Sequence, residues 1–262
     1  MNIQTLYKAT SLDEAYRLLQ ENPKNTILGG GLWLKQTSKP IDIGIDLSLL
    51  NLNTIEEHDS YFLIGAMTPL YQLETSKNLN LWCDNLIKES SEHVMGVAFR
   101  NIATIGGSIY GRYGFSDLIG PLLTLDAEVI FYQEPPLKLD AFLKLKKAPR
   151  DVLMYIKIPK TKGKAYFKKI SNTRLDFSSL NFALYKTENH LKIAIGSRPG
   201  VAMLANKTAE YVVKSGLSYD TIKEAQKILS EEIALSSNVR ASESYRYQLA
   251  QVYLERALKE VF

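Results

Sequence analysis

Three consecutive glycines, Gly29 to Gly31, stand between a short apolar run and an amphipathic segment in the stretch TILGGGLWLKQ. Glycine loses more backbone freedom on folding than any other residue. A triplet therefore marks a place where the chain must turn sharply or admit something at close range. The preceding TIL reads as a short buried strand. A glycine-rich turn after a strand presents successive backbone N–H groups with no Cβ in the way, and such a nest can wrap a phosphate or a pyrophosphate. The same triplet also suits a plain tight turn. Two phosphate signatures are excluded: Leu34 occupies the place of the third glycine of G-x-G-x-x-G, and no Gly-Lys-Ser/Thr follows as a P-loop requires.

A second cluster bears on the choice. In RNIATIGGSIYG, Arg100 to Gly111, a hydroxyl residue precedes two glycines, and Ser116 and Asp117 follow shortly after. Two glycine nests in one domain suit a diphosphate held from both sides, and a nearby carboxylate suits the hydroxyls of a sugar or polyol. Taken singly, Asp117 is an ordinary loop carboxylate, and Tyr110 and Tyr113 are ordinary loop tyrosines.

Around these clusters the chain reads as mixed α and β. TSLDEAYRLLQENP begins a helix, with Ser11 and Glu14 in capping-box spacing and Leu12, Ala15, Tyr16, Leu18 and Leu19 forming its apolar stripe up to Pro23. IDIGIDLSLL and YFLIGAMTPL read as strands, so the first seventy residues run helix, then strands. LYQLETSKNLN and LWCDNLIKESSEHV look helical, PLLTLDAEVIFY and DVLMYIKIP strand-like. KAYFKKIS and HLKIAIGS read as strands flanking a helical DFSSLNFALYK, and everything after Asn206 reads as helix. In LAQVYLERAL, Leu249, Val252, Tyr253 and Ala257 form a core stripe at helical spacing. PKTKGK looks like a linker, which places a domain boundary near 159–164 and predicts domains over 1–160 and 161–262.

Composition narrows the chemistry. A single cysteine, Cys83, excludes an internal disulfide and any iron–sulfur or thiolate zinc site built by this chain alone. His58, His93 and His190 have no metal-ligand spacing, so no metal site is expected. No apolar stretch is long enough to span a bilayer, and MNIQTLYKATSLDEAYRLL lacks the basic start and apolar core of a signal peptide, so a cytoplasmic protein with no membrane partner is expected. The net charge of +4 is uneven: Lys138 to Arg174 holds twelve Lys/Arg against two acids, Asp140 and Asp151. That run is a solvated face or a surface for an acidic partner. Nucleic acid is not expected, since no recognised binding motif accompanies it.

Taken together these segments resemble the flavoprotein subunits of the molybdenum hydroxylases, the xanthine and carbon monoxide dehydrogenase type. ILGGGLWLKQ is similar to that family's first FAD loop, RNIATIGGS followed by LLTLDAEV to its most specific motif, and FKKISNTRLDFSSLNFAL and NVRASESYRYQLAQVYLERAL to its C-terminal domain. The resemblance covers nearly the whole chain, and the matching length implies a separate subunit.

The resemblance implies an α+β fold: a two-subdomain FAD-binding domain of the vanillyl-alcohol-oxidase (PCMH) type, followed by a small sheet-plus-helices domain. It implies that Leu28, Gly29, Gly30, Gly31, Leu32 and Trp33 wrap the pyrophosphate on one side. Thr104, Ile105, Gly106, Gly107 and Ser108 hold it on the other. Val94 would line the adenine side, and Asp117 would accept from hydroxyls of the cofactor. Leu153, Lys168, Asp176 and Phe177 would lie near the isoalloxazine ring. Two departures stand in the motifs: Leu32 and Trp33 replace a hydroxyl or amide residue and an acid, and Ser108 replaces a common Asn. The implied function is electron transfer through FAD, from [2Fe–2S] clusters on a small partner, fed by a molybdopterin-bearing large partner, to NAD+ or another acceptor. No residue of this chain is expected to act as a general acid or base. A stand-alone flavin reductase or oxidase, and a cofactor-free assembly subunit, stay open as alternatives.

Overall fold

The computed structural model describes residues 2–262. The chain opens on strand β1 (Asn2–Lys8), ahead of the expected first helix. Its side chains are nearly all exposed, so no burial pattern announces it; it is held by a parallel backbone ladder to β3, from Asn2 opposite Pro40 to Lys8 opposite Asp46. Helix α1 (Leu12–Glu21) follows as expected. The Ser11 hydroxyl accepts from the Glu14 amide, and the Glu14 carboxylate accepts in turn from the Thr10 amide and hydroxyl, a capping box shifted by one residue. Asn22 is extended, as the residue before Pro23 must be, and the helix stops there.

Then come β2 (Thr26–Leu28), a single 3-10 turn (Leu34–Gln36), β3 (Pro40–Asp46), β4 (Ile55–Glu57) and β5 (Tyr61–Gly65). Six short helices follow: α2 (Leu70–Thr75), α3 (Lys77–Trp82), α4 (Leu86–Ser91), α5 (Val97–Arg100), α6 (Ile105–Tyr110) and α7 (Ile119–Thr124). After them are β6 (Glu128–Phe131), β7 (Leu137–Lys138), α8 (Leu139–Lys144) and β8 (Leu153–Pro159). The chain ends with β9 (Lys164–Ile170), β10 (Leu180–Lys186), β11 (Leu191–Gly196), β12 (Met203–Leu204), α9 (Asn206–Ser215), α10 (Tyr219–Glu232) and α11 (Glu243–Val261).

These elements form two compact units. The first takes the residues up to Gln72, together with Val97–Gly111 and Ala127–Pro159. It holds a parallel sheet in the order β1-β3-β2 and an antiparallel sheet in the order β4-β5-β8-β6-β7. Ala15, Leu18 and Leu19 of α1 bury their apolar face with Ile45, Leu47, Leu52 and Val152.

The second unit comprises Leu73–Gly96, Arg112–Asp126 and Lys160–Phe262. Its sheet is antiparallel in the order β12-β11-β10-β9. Leu180, Phe182 and Leu184 point to the face covered by α9, α10 and α11, where Val212, Ile222, Leu229, Leu254 and Leu258 complete the core. On the opposite face Gly120 of α7 lies next to Asn181, Ala183 and Ala194.

Three expectations are corrected. DFSSLNFALYK does not form a helix: its second half is β10, a central strand buried on both faces, so successive apolar residues stand where a half-exposed strand would alternate. PLLT of the strand-like PLLTLDAEVIFY belongs to α7, and only EVIF is a strand. In α11 the buried stripe runs through Ala250, Leu254, Ala257, Leu258 and Val261; Leu249 and Tyr253 pack at its border and Val252 is exposed.

Candidate cofactor site

The glycine triplet leaves β2 with Gly30 at φ +77° and Gly31 at φ +70°, the left-handed region that glycine enters without steric cost. A Cβ on Gly30 would overlap the Ile102 carbonyl oxygen, whereas a Cβ on Gly31 would meet nothing within 4 Å. Gly30 is thus required by close packing as well as by its φ, Gly31 by its φ alone, with open space where a side chain would stand. Among the described residues, the amides of Gly30, Gly31 and Leu32 donate to no backbone carbonyl outside regular elements. Those donors are available to an incoming group. Trp33 stands edge-on to Phe99 at 6.0 Å between ring centroids, so its side chain packs within the unit.

The second glycine cluster lies directly beside the first and is organised differently. A Cβ on Gly107 would come to 2.7 Å from the Gly29 carbonyl oxygen, and one on Gly29 to 3.0 Å from the Thr104 hydroxyl. The two runs are glycine because their backbones touch. Gly106 has the same need toward Ala66, whose carbonyl oxygen would be 2.6 Å from its Cβ. The amides expected to face a phosphate are already engaged here: Ile105 donates to Thr68 O, Gly106 to Ala66 O, Gly107 to the Thr104 hydroxyl and Ser108 to Thr104 O. The Ser108 hydroxyl also donates to Thr104 O. Thr104 itself is 4% exposed, and its hydroxyl, accepting the Gly107 amide, lies against Gly29. Leu153, also in this unit, is buried at the start of β8, opposite Phe131.

The other residues that the resemblance implicates lie in the second unit. Val94 is half-buried in a turn closed by its amide on Ser91 O. Asp117 is 6% exposed. Its Oδ1 accepts from the Ser178 hydroxyl at 2.6 Å and from Asn181 Nδ2 at 2.9 Å, and Lys169 Nζ lies 3.3 Å from Oδ2. Burial pushes this carboxyl above the usual range, against the opposing pull of Lys169 and of its hydrogen bonds. Asp176 accepts the amide of Phe177 within its own turn. The Phe177 ring lies 4.8 Å from that of Phe115, and the Arg240 guanidinium sits 4.8 Å over it. Lys168 is exposed, and β9 pleating turns it to the side opposite Lys169.

Nothing in the sequence pattern singles out Lys169, Ser178, Asn181 or Ser197, whose hydroxyl completes the network at 2.6 Å from that of Ser178. A weak signal exists in the polar Asn181 inside an otherwise apolar central strand. Arg246, fully buried, is a second such residue; it donates to the carbonyls of Ser179, Ser236 and Ala241 and to Asn238 Oδ1.

Most cations of the basic run are exposed, and several are paired. Lys138 and Lys157 both pair with Glu128, Lys144 with Asp140, and Arg150 binds the carbonyls of Leu19, Asn22 and Asn25 at the end of α1. Among the described residues no group of three His, Cys, Asp or Glu could hold a metal ion, and no helix is long and apolar enough to cross a membrane.

The family model described as the FAD binding domain in molybdopterin dehydrogenase matches residues 1–161, and that of the CO dehydrogenase flavoprotein C-terminal domain matches residues 165–261. The glyceraldehyde dehydrogenase medium chain of Sulfolobus acidocaldarius is 26% identical, over 97% of this chain and 96% of that protein. A putative xanthine dehydrogenase FAD-binding subunit of Escherichia coli is 22% identical, over 97% and 94%. Among solved structures, carbon monoxide dehydrogenase from Hydrogenophaga pseudoflava has a chain that matches with a TM-score of 0.90 at 20% identity, over 100% of this chain and 97% of that one, a likeness of fold.

Proposed function

The chain belongs to the family of FAD-binding subunits of molybdopterin dehydrogenases, and from that premise we propose that it is the electron-exit component of a three-part molybdenum hydroxylase. Its cofactor is FAD and its class is oxidoreductase. The fold is the α+β arrangement of a two-subdomain FAD-binding domain of the vanillyl-alcohol-oxidase type followed by a small sheet-plus-helices domain. On this reading residues 1–160 form the former and 161–262 the latter.

The observation that carries the proposal is the first glycine loop. The amides of Gly30, Gly31 and Leu32 are uncommitted, and the approach over Gly31 is open, so the loop fits an anionic diphosphate. The Thr104 hydroxyl, which accepts the Gly107 amide, lies beside it. When bound, FAD supplies transfer of electrons singly or in pairs. The chain's own residues bind and orient: Gly29 and Gly107 bring the two loops into contact. The chain has one cysteine, so [2Fe–2S] clusters would come from a small partner and molybdopterin from a large one, with NAD+ or another soluble oxidant as acceptor.

Titrating the isolated chain with FAD, followed by flavin fluorescence, is expected to give saturable binding, with FMN far weaker because it lacks the pyrophosphate. The isolated chain should hydroxylate no heterocycle or aldehyde. Adding a cluster subunit and a molybdenum subunit should give substrate-dependent reduction of the flavin, reoxidised by NAD+ or by an artificial acceptor in parallel arms. Failure to bind FAD, or hydroxylation by the single chain, would overturn the proposal.

A further inference from the structure

We propose that Lys169 is a positioning residue for the cofactor, acting through Asp117 and through the carbonyl of His93 rather than by touching the cofactor. This rests on the function proposed above, since Asp117 and Val94 matter to a flavin only if one is bound.

The side chain of Lys169 is 7% exposed although β9 is an edge strand from which a lysine can easily reach water. Instead its ammonium donates to His93 O at 2.8 Å and pairs with Asp117 at 3.3 Å. Burying two charges costs several kcal/mol per ion before their attraction offsets it, so such a pair is weak evidence of stabilisation. What it does is fix geometry. Lys169 joins two segments distant in sequence, the His93–Val94 turn and the Ser116–Asp117 loop.

The bonding of Asp117 is asymmetric in a way that suits this role. Oδ1 is taken by Ser178 and Asn181, whereas the partner found for Oδ2 is Lys169. A carboxylate oxygen accepts more than one donor, so Oδ2 keeps capacity for a hydroxyl while the lysine aims it and pulls the carboxyl toward its charged form against burial. Without the lysine, the buried carboxylate would be left with neutral donors alone and would tend to take up a proton, losing its value as an acceptor. Lys168, exposed and on the other side of the strand, has no such connection.

The test is a double-mutant cycle on the full chain, reading the Kd for FAD and the thermal midpoint. Lys169→Met and Asp117→Asn are each expected to weaken FAD binding by roughly tenfold or more, and the double variant no further than the weaker single, because both remove one linked arrangement. Arg246→Met serves as the control for bulk destabilisation: it removes a buried cation of the same unit and should lower the thermal midpoint with a far smaller change in Kd. If Lys169→Met does not fold, the nearly isosteric Lys169→Gln takes its place. Unchanged affinity on loss of Lys169, multiplicative effects in the double variant, or an equal loss of affinity in the Arg246 control would each overturn the proposal. Absence of FAD binding by the unaltered chain would instead remove the cofactor reading beneath it.

Discussion

Gly29–Gly31 and Gly106–Gly107 lie against each other in the same unit and share a composition, yet their backbones do different things. In the first run, among the described residues, the amides of Gly30 and Gly31 donate to no backbone carbonyl outside regular elements, and Gly31 faces open space. In the second the amides are consumed by Thr68, Ala66 and Thr104, and the missing side chains make room for neighbouring backbone. A glycine cluster in a sequence therefore says that something approaches closely, without saying whether that something is a ligand or the protein itself. Where the N–H groups go decides between the two.

The contrast can be broken by substitution. The largest effect is expected from Gly106→Val, whose Cβ would lie 2.6 Å from the Ala66 carbonyl oxygen and 2.7 Å from its methyl group. Overpacking against a backbone that cannot retreat should cost on the order of 3 kcal/mol or more. Urea unfolding should show that loss, with FAD binding failing alongside the fold; a stable Gly106→Val chain that merely lost FAD would make the second loop a ligand site after all. Gly30→Ala comes next. The overlap with Ile102 O and the positive φ together should cost about 2–3 kcal/mol by the same measurement.

Gly31→Ala should separate the two properties. Its methyl meets nothing, so only the left-handed φ is penalised, by about 1–2 kcal/mol. The methyl nevertheless stands in the approach to the free amides, and FAD affinity should fall more than stability does. Equal affinity in this variant would mean that the first loop, too, is only packing. The smallest effect is expected at a reporter outside both loops. Burial pushes the Cys83 thiol up to about 11, which leaves about one part in a thousand as thiolate at pH 8. Native chain should resist alkylation there, and labelling should increase as the pH rises toward that value; rapid labelling at pH 8 in any glycine variant would report that the damage is not confined to its own loop.

Much of this architecture is legible in the sequence where local chemistry and tertiary context agree. Ser11, Glu14 and Pro23 bracket α1, and the strands around Ile27, Ile43 and Leu63 follow from apolar runs with turn residues beside them. Legibility fails where context overrides pattern. β10 imitates a helix because both of its faces are buried, and β1 is invisible because its residues are held through backbone bonds while their side chains face solvent. At the site, the two glycine runs stand out by composition, but the unequal commitment of their amides depends on Ala66 and Thr68, which no motif marks. Lys169 and Lys168 are indistinguishable in sequence; only the pleat of β9 puts one inside and the other outside.

The position of β8 in its sheet has a consequence for how the chain is made. This strand lies between β5 and β6, yet it is the last of the five to leave the ribosome. Until Pro159 emerges, β5 and β6 each present an unpaired backbone edge, with no neighbour to fill the gap between them. The nascent first unit thus spends the synthesis of some ninety residues after β5 with that strand's edge open, joined by a second hairpin-like fragment once β6 and β7 have been made. Its apolar strand edges are open to other chains throughout that time. The β5–β8 ladder that closes it is the longest-range in the unit, so final assembly should be a slow, late event relative to the formation of α1. A single late strand acts as the keystone of the sheet, and its delayed arrival sets the period in which this protein is most exposed to misassembly.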